Sequence, residues 1–195
     1  SSFERPNPKA FKVEAKVSGH YVNSNLACQE AKDKGFEEAL VLDADALNLI
    51  SKNSENLNLI PKNSIITPHP KEFSRLFGES KDSFERLELA KSKAKELKIY
   101  IVLKGHHTQI ITPEGNVFYN ITGNSGLAKG GSGDVLLGII TSFLAQGYSP
   151  ENAAIFGVWL HGKAADFTAE KYSKEAMLAS DVIQHIGEVF KYLQK

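Results

Sequence analysis

The segment Asn124-Ser125-Gly126-Leu127-Ala128-Lys129-Gly130-Gly131-Ser132-Gly133-Asp134 combines an anion-binding backbone with a carboxylate. Glycines at 130, 131 and 133 let backbone N–H groups approach an anion without side-chain clash. The apolar run from Val135 to Gln146 reads as a helix, whose N-terminus adds unpaired N–H groups and the positive end of its dipole. Asp134 falls on the first turn of that helix. It fits either a base held beside a phosphate or an ordinary N-cap.

Three other polar clusters each follow an apolar run: Asp43-Ala44-Asp45-Ala46-Leu47-Asn48, Thr67-Pro68-His69-Pro70-Lys71-Glu72 and Lys104-Gly105-His106-His107-Thr108. In open α/β sheets ligands bind beyond the carboxyl ends of the strands, so these are the places where a site would be built. Each cluster also has an ordinary reading. His69 suits a turn between two prolines, Lys104 an edge charge, and Asp43 and Asp45 the end of a strand and the cap of a short helix. His106 and His107 are adjacent and cannot share one side of a strand, so a metal pair is not expected there and at least one reads as plain surface.

The elements that must carry these clusters alternate. A short helix is expected over 23–34, closed by Gly35, then strands at Ala39–Leu42, Ser64–Thr67 and Ile99–Leu103. Asp82 with Glu85 reads as a capping box, opening a helix that repeats Phe84, Leu87, Ala90, Ala94 and Leu97 at helical spacing. Gln109–Ile111, a Pro113-Glu114-Gly115 turn and Val117–Tyr119 read as a hairpin. Ser149-Pro150 starts a long helix to about Ala169, in which Phe156 and Trp159 read as core. Ser180 or Asp181 caps a final amphipathic helix. Strands alternating with helices imply a layered α/β fold with a largely parallel sheet, in one domain over 1–195 whose first 20 residues are irregular or a remnant.

Composition narrows the partners. Lys plus Arg and Asp plus Glu are 23 each, which gives no reason to expect nucleic acid or a membrane surface. The sequence has neither a run of the roughly 18 apolar residues that span a bilayer nor an opening signal-peptide pattern. One cysteine, Cys28, rules out an internal disulfide and reads as helix packing in a reducing, cytoplasmic setting. Asn120-Ile121-Thr122 matches the glycosylation sequon and reads as chance. The opening Ser1-Ser2 reads as that of a fragment or a processed chain.

The Walker, Rossmann, nucleophile-elbow and H-E-x-x-H patterns are absent from the sequence. Gly130-Gly131-Ser132-Gly133-Asp134 resembles instead the anion hole and aspartate of the ribokinase-like superfamily. With the other three clusters in order over 39–186, the chain closely resembles the ADP-dependent NAD(P)H-hydrate dehydratase family.

The resemblance implies a three-layer ribokinase-like fold. It also implies ADP- or ATP-dependent dehydration of the S-epimer of hydrated NADH or NADPH through a phosphorylated intermediate. Asp134 would be the catalytic base and contact the hydroxyl of the hydrated ring; His69 would contact the same substrate. Lys104, Gly105, His106, His107 and Thr108 would bind the nucleotide, as would Asn124, Ser125, Gly126, Leu127, Ala128, Lys129, Gly130, Gly131, Ser132 and Gly133. Glu72 matches a carboxylate that organises Mg²⁺ through water in related kinases, and the resemblance assigns no direct metal ligand. A homo-oligomer is also implied.

The chain departs from the family in its first 38 residues. They offer Gly19 and Gly35 as glycines, and lack the glycine-rich loop and the Gly-Pro-Gly-type segment that belong to the hydrate site. The chain therefore reads as N-terminally truncated, without the epimerase domain often fused to this enzyme. Two alternatives stay open: a small-molecule kinase of the same superfamily, acting on a vitamin precursor or sugar, and a catalytically silent nucleotide-binding fragment.

Overall fold

The computed structural model describes residues 39–194; the expected helix over 23–34, Cys28 and the segment 1–20 lie outside them. Among the described residues, five strands form one sheet in the order β1 (Val41–Leu42), β2 (Ile65–Ile66), β3 (Tyr100–Leu103), β4 (Gln109–Ile111) and β5 (Val117–Tyr119). The first three are parallel, and the hairpin adds β4 and β5 antiparallel. Pairing of Val41 with Ile65 and of Ile65 with Tyr100 puts these side chains on one face, while Leu42, Ile66 and Ile101 share the other. Both faces are covered, which is why β2 and β3 read as continuous apolar runs.

One face packs against α4 (Ser132–Ala145), α5 (Pro150–Tyr172) and α6 (Ala179–Leu193). The other packs against α1 (Ala44–Ile50), α2 (Pro70–Phe77) and α3 (Ser83–Leu97). The expected three layers are therefore present, with the polar clusters gathered where β1, β2 and β3 end.

Several local expectations are corrected. The turn reading of His69 between two prolines gives way to a helix, α2, that the sequence reading did not name. Pro70 instead occupies the first helical position, where its missing N–H costs nothing, and His69 caps the helix. α4 starts at Ser132, so Asp134 is its third residue and the N-cap is Gly131, held at φ 87° where only glycine is unstrained. α6 begins at Ala179: neither Ser180 nor Asp181 is the cap residue, and the Asp181 carboxylate accepts the Leu178 N–H at 2.8 Å. Phe84, expected on the buried face of α3, is 71% exposed. Glu85 accepts the Lys81 N–H, and Asp82 alone caps α3 by accepting the Glu85 N–H. Trp159 stacks on Phe156 with ring centroids 5.6 Å apart, both half-buried against the core as expected.

Two helical glycines separate packing from propensity. A Cβ at Gly162 in α5 would lie 2.7 Å from the carbonyl carbon and oxygen of Thr122, a backbone that cannot yield without dragging its loop. A Cβ at Gly187 in α6 meets nothing within 4 Å. Chemical denaturation should show Gly162→Ala destabilised by about 1–3 kcal/mol, overpacking outweighing the helix propensity gained. Gly187→Ala should be neutral or stabilised by up to ~1 kcal/mol.

Candidate functional site

Lys104 leaves the end of β3 with its N–H donated to the Pro68 carbonyl at 2.9 Å. Its ammonium donates to Asp43 Oδ1 at 2.7 Å and lies 3.8 Å from Glu72 Oε2. Both carboxylates are 6% exposed and Lys104 is 21% exposed, so one cation joins the ends of β1 and β3 to the start of α2. The edge-charge reading of Lys104 is set aside by this burial. Asp43 Oδ2 lies 3.3 Å from where a Cβ on Gly133 would stand, so the carboxylate sits directly against the glycine loop.

His69 and Glu72 close on each other. The Glu72 carboxylate accepts the His69 N–H at 2.8 Å, and His69 Nδ1 accepts the N–H groups of Lys71 and Glu72 at 3.2 and 3.4 Å. His69 Nε2 is 3.1 Å from Glu72 Oε1. The turn histidine is thus a helix cap, with its half-exposed ring edge at the site.

Above these groups lies a cavity of about 630 Å³. Of the residues assigned to it by resemblance, His69, Lys104, Gly105, His106, Thr108, Asn124, Leu127, Ala128, Lys129, Ser132 and Gly133 line it. His107, Ser125, Gly126, Gly130, Gly131 and Asp134 are not in the lining. Asp134 is exposed on the first turn of α4, beside Gly133, and borders a neighbouring depression between α4 and α6 with Val135, Ile139 and Ile183.

No side chain caps α4, whereas His69, Asp82 and Ser149 cap α2, α3 and α5. The Gly133 and Asp134 N–H groups of this 14-residue helix are therefore left without a side-chain partner at a helix end that borders the cavity, an arrangement that suits an anion.

His106 and His107 depart from expectation in a different way. They occupy a turn, so strand alternation does not separate them. Their Nδ1 atoms are 3.1 Å apart, with rings edge to face at 4.4 Å between centroids. One ring donates and the other accepts. No group of three or more His, Cys, Asp or Glu side chains placed to hold a metal occurs among the described residues.

Residues that sequence reasoning missed form the far wall. Thr122 Oγ1 donates to the Trp159 carbonyl at 3.0 Å, and the Gly123 N–H donates to Asp166 at 3.1 Å. The Asn124 amide donates to the Ala165 carbonyl and to Asp166 while accepting the Gly126 N–H. Asn124 spends its side chain on α5, so only its flank faces the cavity. The Asn120-Ile121-Thr122 match belongs to the same anchor, with Asn120 Nδ2 donating to the Thr122 carbonyl. An interior glycine and a lone histidine in an apolar helix, Gly162 and His161, were the available signals.

His161 lines the cavity at 7% exposure, and its Nε2 has no hydrogen-bond partner among the described residues. Burial pushes its pKa down to about 4 from 6.5, so it stays neutral. Its folded pKa lies below the unfolded value, so its contribution falls as pH drops from 6.5 toward 4. Urea denaturation from pH 7 to pH 4.5 should lose about 2–3 kcal/mol through this group, a component that His161→Leu should lack. Lys104→Met should cost roughly 2–4 kcal/mol by stranding the Asp43 carboxylate, and adding Asp43→Asn should recover part of it in a double-mutant cycle.

With the geometry in place, comparison with known proteins is specific. The family model described as NAD(P)H-hydrate dehydratase matches residues 19–188. The chain is 43% identical over 151 residues to the ADP-dependent (S)-NAD(P)H-hydrate dehydratase of Neisseria meningitidis, covering 75% of this chain and 51% of that protein. It is 41% identical over 157 residues to the bifunctional NAD(P)H-hydrate repair enzyme Nnr of Moorella thermoacetica, covering 80% and 30% respectively. The crystal structure of the ADP/ATP-dependent NAD(P)H-hydrate dehydratase from Bacillus subtilis, co-crystallised with ATP and Mg²⁺, superposes with a TM-score of 0.73 at 36% identity. That match covers 84% of this chain and 59% of the other. The chain thus spans about half of the length of the first of these curated relatives and about a third of the second.

Proposed function

Since the chain belongs to the NAD(P)H-hydrate dehydratase family, we propose that it carries the nucleotide half of that site and uses it to dehydrate the S-epimer of hydrated NADH or NADPH with ADP or ATP. The observation that carries this reading is the uncapped N-terminus of α4 bordering the cavity between the glycine loop and Lys104.

A hydroxyl is a poor leaving group and a phosphate ester a good one. In the proposed reaction the hydroxyl oxygen of the hydrated ring forms a bond to the terminal phosphorus of ADP or ATP and the bond to the departing nucleotide breaks. The hydroxyl proton goes to Asp134. The ester then leaves as phosphate while a ring C–H proton is lost, which restores the reduced nicotinamide. Charge spreads over the phosphoryl oxygens during transfer, so positioned donors matter more than covalent chemistry. The N–H groups at Gly133 and Asp134 would serve that role.

The position of Asp134 supports a division of labour. It stands one residue beyond the cavity lining, so the phosphates would occupy the Gly133 side and the hydrated ring the rim. His69, with its exposed ring edge on the same cavity, would meet the ring from the α2 side.

The carboxylates present fit Mg²⁺ held through its own waters. Glu72 is engaged by His69 and Lys104, and Asp43 by Lys104, which leaves no all-protein cage; Mg²⁺ characteristically keeps several waters and few protein carboxylates. Glu72 would orient such a water. When bound, the ion neutralises phosphate charge.

Hydrated NADH mixed with the chain, Mg²⁺ and ADP or ATP should recover its near-ultraviolet NADH absorbance. Asp134→Asn should reduce the rate by at least about 10²-fold, the scale of a lost general base. A folded wild-type chain that restores no absorbance overturns the dehydratase reading. A stable phosphorylated product would instead identify a kinase of this fold, and ADP binding without turnover a silent nucleotide-binding module.

A further inference from the structure

Lys129 stands within the glycine-rich segment, where a cation is naturally read as a phosphate ligand. The structure spends its ammonium elsewhere. Lys129 Nζ donates to the carbonyls of Lys174, Glu175 and Met177, at 3.4, 3.3 and 2.5 Å, all in the turn between α5 and α6. An ammonium carries three N–H donors, and three carbonyls engage them all.

Two further contacts join the same pair of segments. Gly126 is buried, and a Cβ there would overlap the Met177 sulfur and come within 2.8 Å of the Lys174 carbonyl. A Cβ at Gly131 would stand 3.2 Å from that of Ala179. The loop is thus in contact with 174–179 before, at and after Lys129. The Lys129 carbonyl in turn lies 3.5 Å from the Ser132 N–H at the start of α4.

We propose that Lys129 is a positioning residue that clamps the glycine loop onto the α5–α6 turn and so sets the direction of the loop's N–H groups. It acts on bound phosphate through the backbone, and not as a phosphate ligand. The functional consequence rests on the nucleotide reading of the cavity; the clamp itself does not.

The test uses the full chain. Hydrogen exchange is followed without nucleotide, and ADP affinity is measured by calorimetry. Lys129→Met should speed exchange across 126–133 while leaving β3 unchanged, and should weaken ADP binding roughly tenfold or more, the scale of a misplaced binding group. Lys129→Arg, which keeps donors for the carbonyls, should retain most of both properties. Lys129→Ala should regain loop protection with added ammonium chloride but not with sodium chloride, because ammonium supplies the missing N–H donors. Weakened ADP binding with unchanged ligand-free exchange would make Lys129 a direct ligand and overturn the proposal, as would wild-type exchange and affinity in Lys129→Met. A wild-type chain that binds no ADP would overturn the nucleotide reading alone, while the exchange result still decides the clamp.

Discussion

Two carboxylates with 6% exposure, Asp43 and Glu72, approach one ammonium on Lys104, and the rest of the site depends on that arrangement. Burying like charges close together is unfavourable unless a counter-charge is placed with them. Lys104 can be there only if the ends of β1 and β3 and the start of α2 come together, which the parallel pairing of β1, β2 and β3 ensures. The pair therefore does more than neutralise. It fixes the floor on which Gly133 rests, with Asp43 Oδ2 3.3 Å from where a Cβ would stand, a tight contact.

The far wall is built by a different principle. α5 presents Gly162 and Ala165 to the incoming 120–127 segment, and this small-residue face admits the backbone of Thr122 and Gly123 in direct contact. Asp166, one residue on, then accepts from both Gly123 and Asn124. Close packing and charge-assisted hydrogen bonds act together, so the loop reaches α4 in a single register. The neutral, unpartnered His161 on the same helix marks the one buried polar atom on this wall that the described residues do not satisfy.

Between floor and wall, the glycine loop is constrained from outside by the α5–α6 turn. Gly131 at φ 87° redirects the chain into α4, and no side chain competes for the first-turn N–H groups. An uncapped helix end is a local cost in a ligand-free protein and a benefit once an anion is bound. Asp134, the residue after cavity-lining Gly133, is exposed and borders the adjoining depression between α4 and α6.

Much of the scaffold was legible in the residues. Apolar runs at 64–67 and 99–103 became strands, the Pro113-Glu114-Gly115 turn made its hairpin, and Ser149-Pro150 opened α5, because each depends on local preference and burial pattern alone. The order of the four polar clusters carried the family. Tertiary structure decided the rest. Whether Lys104 faces a phosphate or Asp43, whether Asn124 and Lys129 present side chains to a ligand or spend them on α5 and its following turn, and whether His106 and His107 part or meet are all settled by partners distant in the chain. Periodicity reports which face a residue takes. It is silent on which of several competing hydrogen-bond partners, brought within 4 Å only by folding, claims a polar group.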